Sequence, residues 1–394
     1  MTRIAAVRGA LPANRYPQAE ITDTFARICL PPGADRRLLD RLHGSARVGH
    51  RNLVLPLDQY AKLDGFGMAN EIFIEAAVDL GAEAVGAALD AAGLTPADVD
   101  MIMFTSVTGI AAPSVDARLA GRLGLRPDVK RLPIFGLGCV AGAAGIARLH
   151  DYLRGWPEHV AVLLSVELCS LTLQRGDSTP VNLVASGLFG DGAAAVVACG
   201  AGRDAPSSPA AAGSVAAGGL AWPGAVPPAG PAGPAGPGEG SASAFAGARP
   251  GPTVVATRGH LYPDSEGVMG WDVSDSGFRV VLDTSVPEVV RTYLADDVHG
   301  FLADHGLTTR DVTAWVCHPG GPKVLHAVAE TLDLPDGALD LTWRSLADVG
   351  NLSSSSVLHV LRDTLALRPP PPGTPGLMIA MGPGFCSELV LLRW

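Results

Sequence analysis

Aromatic residues make up only 5% of this 394-residue chain, and lysine occurs just three times, at Lys62, Lys130 and Lys323. The first shortage leaves burial to alanine, valine and leucine. Hydrophobic residues still reach 47%, a composition of globular rather than disordered chains. The second shortage leaves no basic run that could neutralise a phosphate backbone. With a net charge of −10, a nucleic-acid surface is excluded. A small anionic substrate would need a local basic patch.

Three further absences narrow the class. The six cysteines (Cys29, Cys139, Cys169, Cys199, Cys317 and Cys386) form no CxxC pair and no metal-ligand spacing. This argues against zinc and against a disulfide framework, and neither a metal nor a cofactor is expected. The N-terminal MTRIAAVRGALPANRYPQ lacks the apolar core of a secretory signal. VAVLLSV (160–166) is too short to span a bilayer, and Asp191 interrupts LFGDGAAAVV. The expectation is a cytoplasmic protein without a membrane span.

What the chain does have is an internal duplication. GCVAGAAGIARLHDYL (138–153) aligns with GNLSSSSVLHVLRDTL (350–365) at an offset of 351 − 139 = 212. GLTPADVDMIMFT (93–105) aligns with GLTTRDVTAWVCH (306–318) at 306 − 93 = 213. Cys139 and Asn351 thus hold the same place in two copies of one motif, and His318 closes the second copy of the other.

Apolar periodicity places a helix over 71–94, stopped at Gly93, and buried strands over 100–106 and 160–166. In the second half it places strands at 314–317, 377–381 and 388–392, with helices at 322–332 and 351–365. The pattern is α/β with strands buried on both faces. Residues 1–200 form a half carrying the thiol, and 253–394 a half carrying histidine and asparagine. Between them, 201–252 is rich in Ala, Gly, Pro and Ser and reads as a flexible solvated insert.

A cysteine directly before a helical run of small residues can sit at the helix N-terminus, where N–H groups and the dipole favour a thiolate. An arbitrary cysteine in such a run is more often buried and inert. The duplication reverses that, because its counterpart Asn351 is polar. His318 ends a strand and precedes Pro319-Gly320-Gly321, which turns the chain and leaves the ring facing a cavity. Thiol, imidazole and neutral amide suit a Claisen condensation: sulfur holds an acyl group, and two N–H donors stabilise the enolate formed when a malonyl thioester loses carbon dioxide. A carboxylate in place of Asn351 would repel that enolate.

At these residues the chain resembles the thiolase-fold condensing enzymes, and within them the type III polyketide synthases of the chalcone synthase group. The motifs are GC at Gly138-Cys139, LFGDGAAAVV (188–197), PDSEG (263–267), HPGGP (318–322), GNLSS (350–354) and GPG (382–384). The resemblance covers nearly everything outside the insert. It implies a thiolase-like fold with duplicated αβαβα halves and mixed five-stranded sheets, and a homodimer.

Carried over by position, it makes Cys139 the nucleophile, and His318 and Asn351 the decarboxylation and oxyanion site. Phe189 becomes an aromatic gatekeeper, with Val280 at the second gatekeeper position. Thr172, Trp271, Ser353 and Val107 align with pocket-shaping positions. Ala112 aligns with one that crosses the dimer interface into the partner's pocket. The plain alternative for each of these is core packing. Arg47, His50, Arg51 and Lys323 align with the segments that border CoA, where the alternative is a solvated surface.

The resemblance extends to bacterial alkylresorcinol and alkylpyrone synthases. It implies loading of an acyl-CoA starter, first of all fatty acyl, on Cys139, extension with malonyl-CoA or methylmalonyl-CoA, and cyclisation to a resorcinol or pyrone. Tetrahydroxynaphthalene formation from malonyl-CoA alone is the alternative product. Ketoacyl synthase III, with one condensation on a carrier protein, is the alternative mechanism. A papain-like thiol hydrolase also uses Cys, His and Asn, but its signature around the nucleophile is missing. A non-catalytic relative would have lost one of the three residues, and all three are present.

Overall fold

The structure is a computed structural model and describes residues 1–203 and 251–394. The insert expected at 201–252 lies almost wholly outside the described residues. In the front half the elements run β1 (Thr2–Ala10), β2 (Asn14–Pro17), α1 (Gln18–Cys29), α2 (Arg37–Ser45), β3 (His50–Leu53), α3 (Gly65–Ala92), β4 (Met101–Thr105), α4 (Val115–Leu123), β5 (Lys130–Ile134), α5 (Ala141–Gly155), β6 (Val160–Leu168), α6 (Pro180–Leu188) and β7 (Asp191–Cys199). The rear half follows with β8 (Thr253–Leu261), β9 (Met269–Ser274), β10 (Gly277–Leu282), α7 (Val286–Ala303), β11 (Ala314–Cys317), α8 (Pro322–Thr331), α9 (Asp340–Val349), α10 (Ser354–Leu367), β12 (Pro375–Gly382) and β13 (Cys386–Arg393).

The duplication is visible in the pairing. β4 runs parallel to β6, β6 antiparallel to β7, and β7 antiparallel to β1. β11 runs parallel to β12, β12 antiparallel to β13, and β13 antiparallel to β8. Each series is preceded by the same local signal, a Thr-x-x-Asp capping box at Thr95/Asp98 and again at Thr308/Asp311. β5 extends the front series to five strands, whereas the rear series has four. The two are not separate sheets, because β1 pairs β8 at Thr2 and Arg3 and joins them into one nine-stranded mixed sheet.

The strands are apolar on both faces because both are covered. Along β6, Val160, Val162, Leu164 and Val166 face a core shared with α3, while Ala161 and Leu163 face a central core. Along β12, Leu377, Ile379 and Met381 pack with α7 and α8, while Met378 and Ala380 join the same central core. That central layer is built from α5 and α10, the two copies of the duplicated helix, through Ile146, Leu149, Val357 and Leu361. Gly142 explains the run of small residues in α5: a Cβ there would lie 2.3 Å from the Ser354 carbonyl oxygen of α10. The two duplicated N-termini are thereby held side by side, Cys139 before one and Asn351 before the other.

Among the described residues no helix is long and apolar enough to cross a membrane, and no group of His, Cys, Asp and Glu is arranged to hold a metal ion.

Candidate active site

Cys139 lies in a single 3-10 turn, Gly138–Val140, that leads into α5. Gly138 adopts φ +54°, and a Cβ on it would meet Pro383 Cδ at 2.5 Å. Only glycine satisfies both the backbone angle and the contact, which accounts for the GC pair and the GPG loop as one assembly. The Cys139 thiol is half-buried and lies 3.5 Å from Ser353 Oγ.

His318 extends β11 by one hydrogen bond, its N–H donating to Ile379 O at 2.9 Å, and the Gly320 N–H then turns back onto His318 O at 2.9 Å. The ring is buried, and neither Nδ1 nor Nε2 has a partner among the described residues. A buried, unpartnered imidazole is costly unless a ligand completes it. Asn351 is 1% exposed. Its Oδ1 accepts the Ser353 N–H at 2.8 Å, with Ser356 Oγ at 3.4 Å. The amide oxygen is thus turned onto the start of α10, and Nδ2 is left with one long contact, 3.5 Å to Gly320 O. Backbone bonds from Gly190 N to Asn351 O and from Asn351 N to Leu188 O, both 2.9 Å, tie Asn351 to Phe189.

Cys139, His318 and Asn351 all line one cavity. Burial pushes the Cys139 thiol up to about 12 despite its bond to Ser353, with the Glu167 charge adding to the rise. Burial likewise pushes His318 down to about 3. Burial thus disfavours both the thiolate and the imidazolium. The arrangement offers one nucleophilic sulfur and, in the same cavity, an imidazole and an amide N–H donor.

Residues 1–203 match the family described as "Chalcone and stilbene synthases, N-terminal domain", and residues 253–394 match its C-terminal domain. The chain belongs to the chalcone and stilbene synthase family. It is accordingly an acyltransferase of the condensing type, a type III polyketide synthase. It is 56% identical over 393 residues to a 1,3,6,8-tetrahydroxynaphthalene synthase of Streptomyces peucetius subsp. caesius, covering 100% of this chain and 93% of the relative. It is 32% identical to a putative chalcone synthase of Bacillus subtilis, over 100% of this chain and 99% of that one. The solved tetrahydroxynaphthalene synthase of Streptomyces coelicolor A3(2), called a bacterial type III polyketide synthase, superposes with a TM-score of 0.83 at 26% identity, covering 100% and 99% of the two chains. These similarities favour the tetrahydroxynaphthalene alternative over the alkylresorcinol expectation.

Of the residues the family resemblance singled out, Phe189, Trp271 and Val280 line the same cavity. Trp271 and Val280 are cross-strand partners in the β9–β10 hairpin, and the Trp271 and Phe189 ring centroids are 6.4 Å apart. Thr172 does not reach this cavity; it lines a second one behind Phe189, Trp271 and Val280. Ser353 touches the sulfur itself. Val107 is buried and lines neither cavity, its N–H donating to Glu167 Oε2 at 3.1 Å. Ala112 is exposed and lines neither.

The four cationic positions separate. Arg47 is exposed, with its guanidinium 5.0 Å over the Trp343 ring. Lys323 is exposed at the start of α8, next to Val324 of the cavity wall, and His50 is half-buried. Arg51 corrects the expectation of a CoA contact: it is 1% exposed, with Nη1 bonded to Phe189 O at 2.6 Å and Nε to Gln18 Oε1 at 3.0 Å. A side chain buried against the Phe189 backbone does not reach phosphates in solvent.

One buried residue escaped the reading of the sequence. Glu167 is fully buried and accepts from Thr108 Oγ1 at 2.9 Å, Val107 N at 3.1 Å, Ser106 Oγ at 3.2 Å and Ser354 Oγ. Burial raises its carboxyl above the usual range while these bonds pull it back. A lone acid inside the apolar run VAVLLSVEL was the available signal. PDSEG also gains a physical role: Ser265 Oγ accepts the Phe385 N–H at 2.7 Å, so this loop fastens the GPG loop whose Pro383 and Phe385 line the cavity.

Proposed function

We propose that the chain condenses malonyl-CoA units on Cys139 and releases 1,3,6,8-tetrahydroxynaphthalene. The observation that carries the chemistry is the convergence of Cys139, His318 and Asn351 on one cavity, with Asn351 Oδ1 turned away. Cys139 Sγ attacks the thioester carbonyl of the starter, its proton passes to the unpartnered imidazole, and CoA leaves as the thiol. A malonyl thioester then enters with its carbonyl oxygen between a His318 ring N–H and Asn351 Nδ2. Loss of carbon dioxide leaves an enolate that both donors stabilise. Its carbon attacks the acyl carbonyl on Cys139 and expels the sulfur as thiolate, leaving the lengthened chain as a CoA thioester; the sulfur then takes the chain back by attack on that thioester, and CoA leaves.

For the product, support comes from the full-length similarity to a tetrahydroxynaphthalene synthase. A fatty acyl starter is the lesser reading for the same reason.

CoA enters, in this proposal, with its phosphates toward Arg47 and Lys323. The protein acts as a homodimer: β5 is an edge strand pairing only β4, and Leu132, Phe135 and Ile110 stay 43%, 52% and 50% exposed around it. A second copy would cover this apolar edge and bring Ala112 to an interface.

Mass spectrometry of products from malonyl-CoA alone, without carrier protein, tests the proposal. A tetrahydroxynaphthalene mass is expected. A single condensation that needs acyl carrier protein, or products formed only from fatty acyl starters, would overturn it. Cys139→Ala is expected to gain no acyl mass from any CoA thioester.

A further inference from the structure

Behind the reaction cavity lies a second, smaller one. The two share a wall one residue thick, since Phe189, Trp271 and Val280 line both. The second cavity is also lined by Arg51. The guanidinium is buried, its two bonds go to neutral acceptors on Phe189 and Gln18, and Nη2 has no partner among the described residues. Arg51 forms no ion pair among the described residues, and the carboxylate whose field it feels, Asp191, is taken up by the N–H groups of Val54 (2.7 Å) and Ser170 (2.8 Å) and by Ser170 Oγ.

A buried arginine is ordinarily paired, because desolvating the charge and leaving a donor idle both cost stability. Here the idle donor belongs to a group lining a chamber that shares a wall with the cavity of Cys139. The guanidinium fork is suited to planar oxyanions. On the reading of Cys139 as the acylated nucleophile, we propose that Arg51 is an anion-recognition residue for the far end of the acyl chain. Its ligand is a carboxylate or a 1,3-dicarbonyl enolate oxygen that passes the Phe189–Trp271 wall. The site thereby selects acyl groups that end in an acid and holds the growing polyketone extended, keeping its carbonyls from closing early on one another.

The test uses the intact protein and matched starters: succinyl-CoA and glutaryl-CoA against 4-methylpentanoyl-CoA and 5-methylhexanoyl-CoA, whose branched methyls replace the carboxylate oxygens. The rate of acyl adduct formation on Cys139 is followed by intact mass. The wild-type chain is expected to favour at least one acid-ended starter over its apolar isostere by about tenfold or more. Arg51→Gln is expected to lose that ratio, and Arg51→Lys to keep part of it. A wild-type ratio near unity for both pairs overturns the proposal whether or not the variants fold. A variant that slows both members of a pair equally also overturns it, since that is what loss of the Phe189 anchor alone would do. If no CoA thioester, malonyl-CoA included, acylates Cys139, the reading of the nucleophile itself falls and this inference with it.

Discussion

Burial disfavours the charged forms of Cys139 and His318 alike, and this makes them dependent on one another. A thiolate alone in this cavity is penalised, as is an imidazolium alone. A proton passed from sulfur to ring creates both charges together, and each then offsets the desolvation of the other. His318→Gln is therefore expected to slow alkylation of Cys139 by iodoacetamide at neutral pH by about tenfold or more. Peptide mapping of the modified cysteines reads this directly, and an unchanged rate would show that the sulfur ionises without the ring. Asn351 works through orientation rather than charge. Asn351→Asp keeps the acceptor for the Ser353 N–H but replaces Nδ2 with an oxygen facing the enolate. Release of carbon dioxide from malonyl-CoA should fall by about 10² to 10³; a carboxylate that left decarboxylation intact would remove Asn351 from the oxyanion site.

At the scale of elements, the β9–β10 hairpin governs what the cavity accepts, because Trp271 and Val280 stand opposite each other on it and form the shared wall with Phe189. Trp271→Gly removes the largest side chain of the wall that the two cavities share and widens the way between them. Hexanoyl-CoA should then gain about tenfold or more on malonyl-CoA as starter, in competition assays read by product mass; an unchanged ratio would place the selecting contact elsewhere. This hairpin was also the element least legible in the sequence. Its strands, MGWDVS and GFRVVL, are short, partly exposed and unduplicated, so neither apolar periodicity nor the internal repeat marks them. The elements that were legible, β4, β6, α8, β11, β12 and β13, are buried on one or both faces and carry their pattern locally. Cys139, His318 and Asn351 were legible for another reason: the repeat puts unlike polar residues where a structural copy would have kept like ones. Arg51 was misread because its neighbours Arg47 and His50 are partly exposed, and no local signal distinguishes a guanidinium on the surface from one drawn under a gate by the Phe189 carbonyl, far away in sequence.

For the whole molecule, the central layer that brings the two N-termini together also stores a pH dependence. His359 of α10 donates from Nε2 to Ala193 O of β7 at 2.9 Å, and its Nδ1 is buried without a partner. Burial holds this ring down to about 3, as it holds His318 at about 3 and His43 at about 4. A folded pKa below the unfolded value of about 6.5 means that the unfolded chain alone takes up the proton as pH falls. Each such histidine therefore contributes stability that is intact above about pH 7 and lost below it, about 2 kcal/mol by pH 5. Asp191 opposes them: burial raises it to about 6, so the folded state takes up its proton first and gains about 1 kcal/mol over the same interval. Glu167 and Glu388, also raised by burial, act in the same sense as Asp191, while the share of stability held by the histidines is lost between about pH 7.5 and about pH 5. His359→Gln keeps a donor for Ala193 O but has nothing to protonate. Its loss of unfolding free energy over that interval, from urea titrations at both pH values, should be smaller than wild type by about 2 kcal/mol, whatever its absolute stability. Equal losses in the two proteins would mean that His359 is protonated in the folded state, and that the core between α10 and β7 admits water.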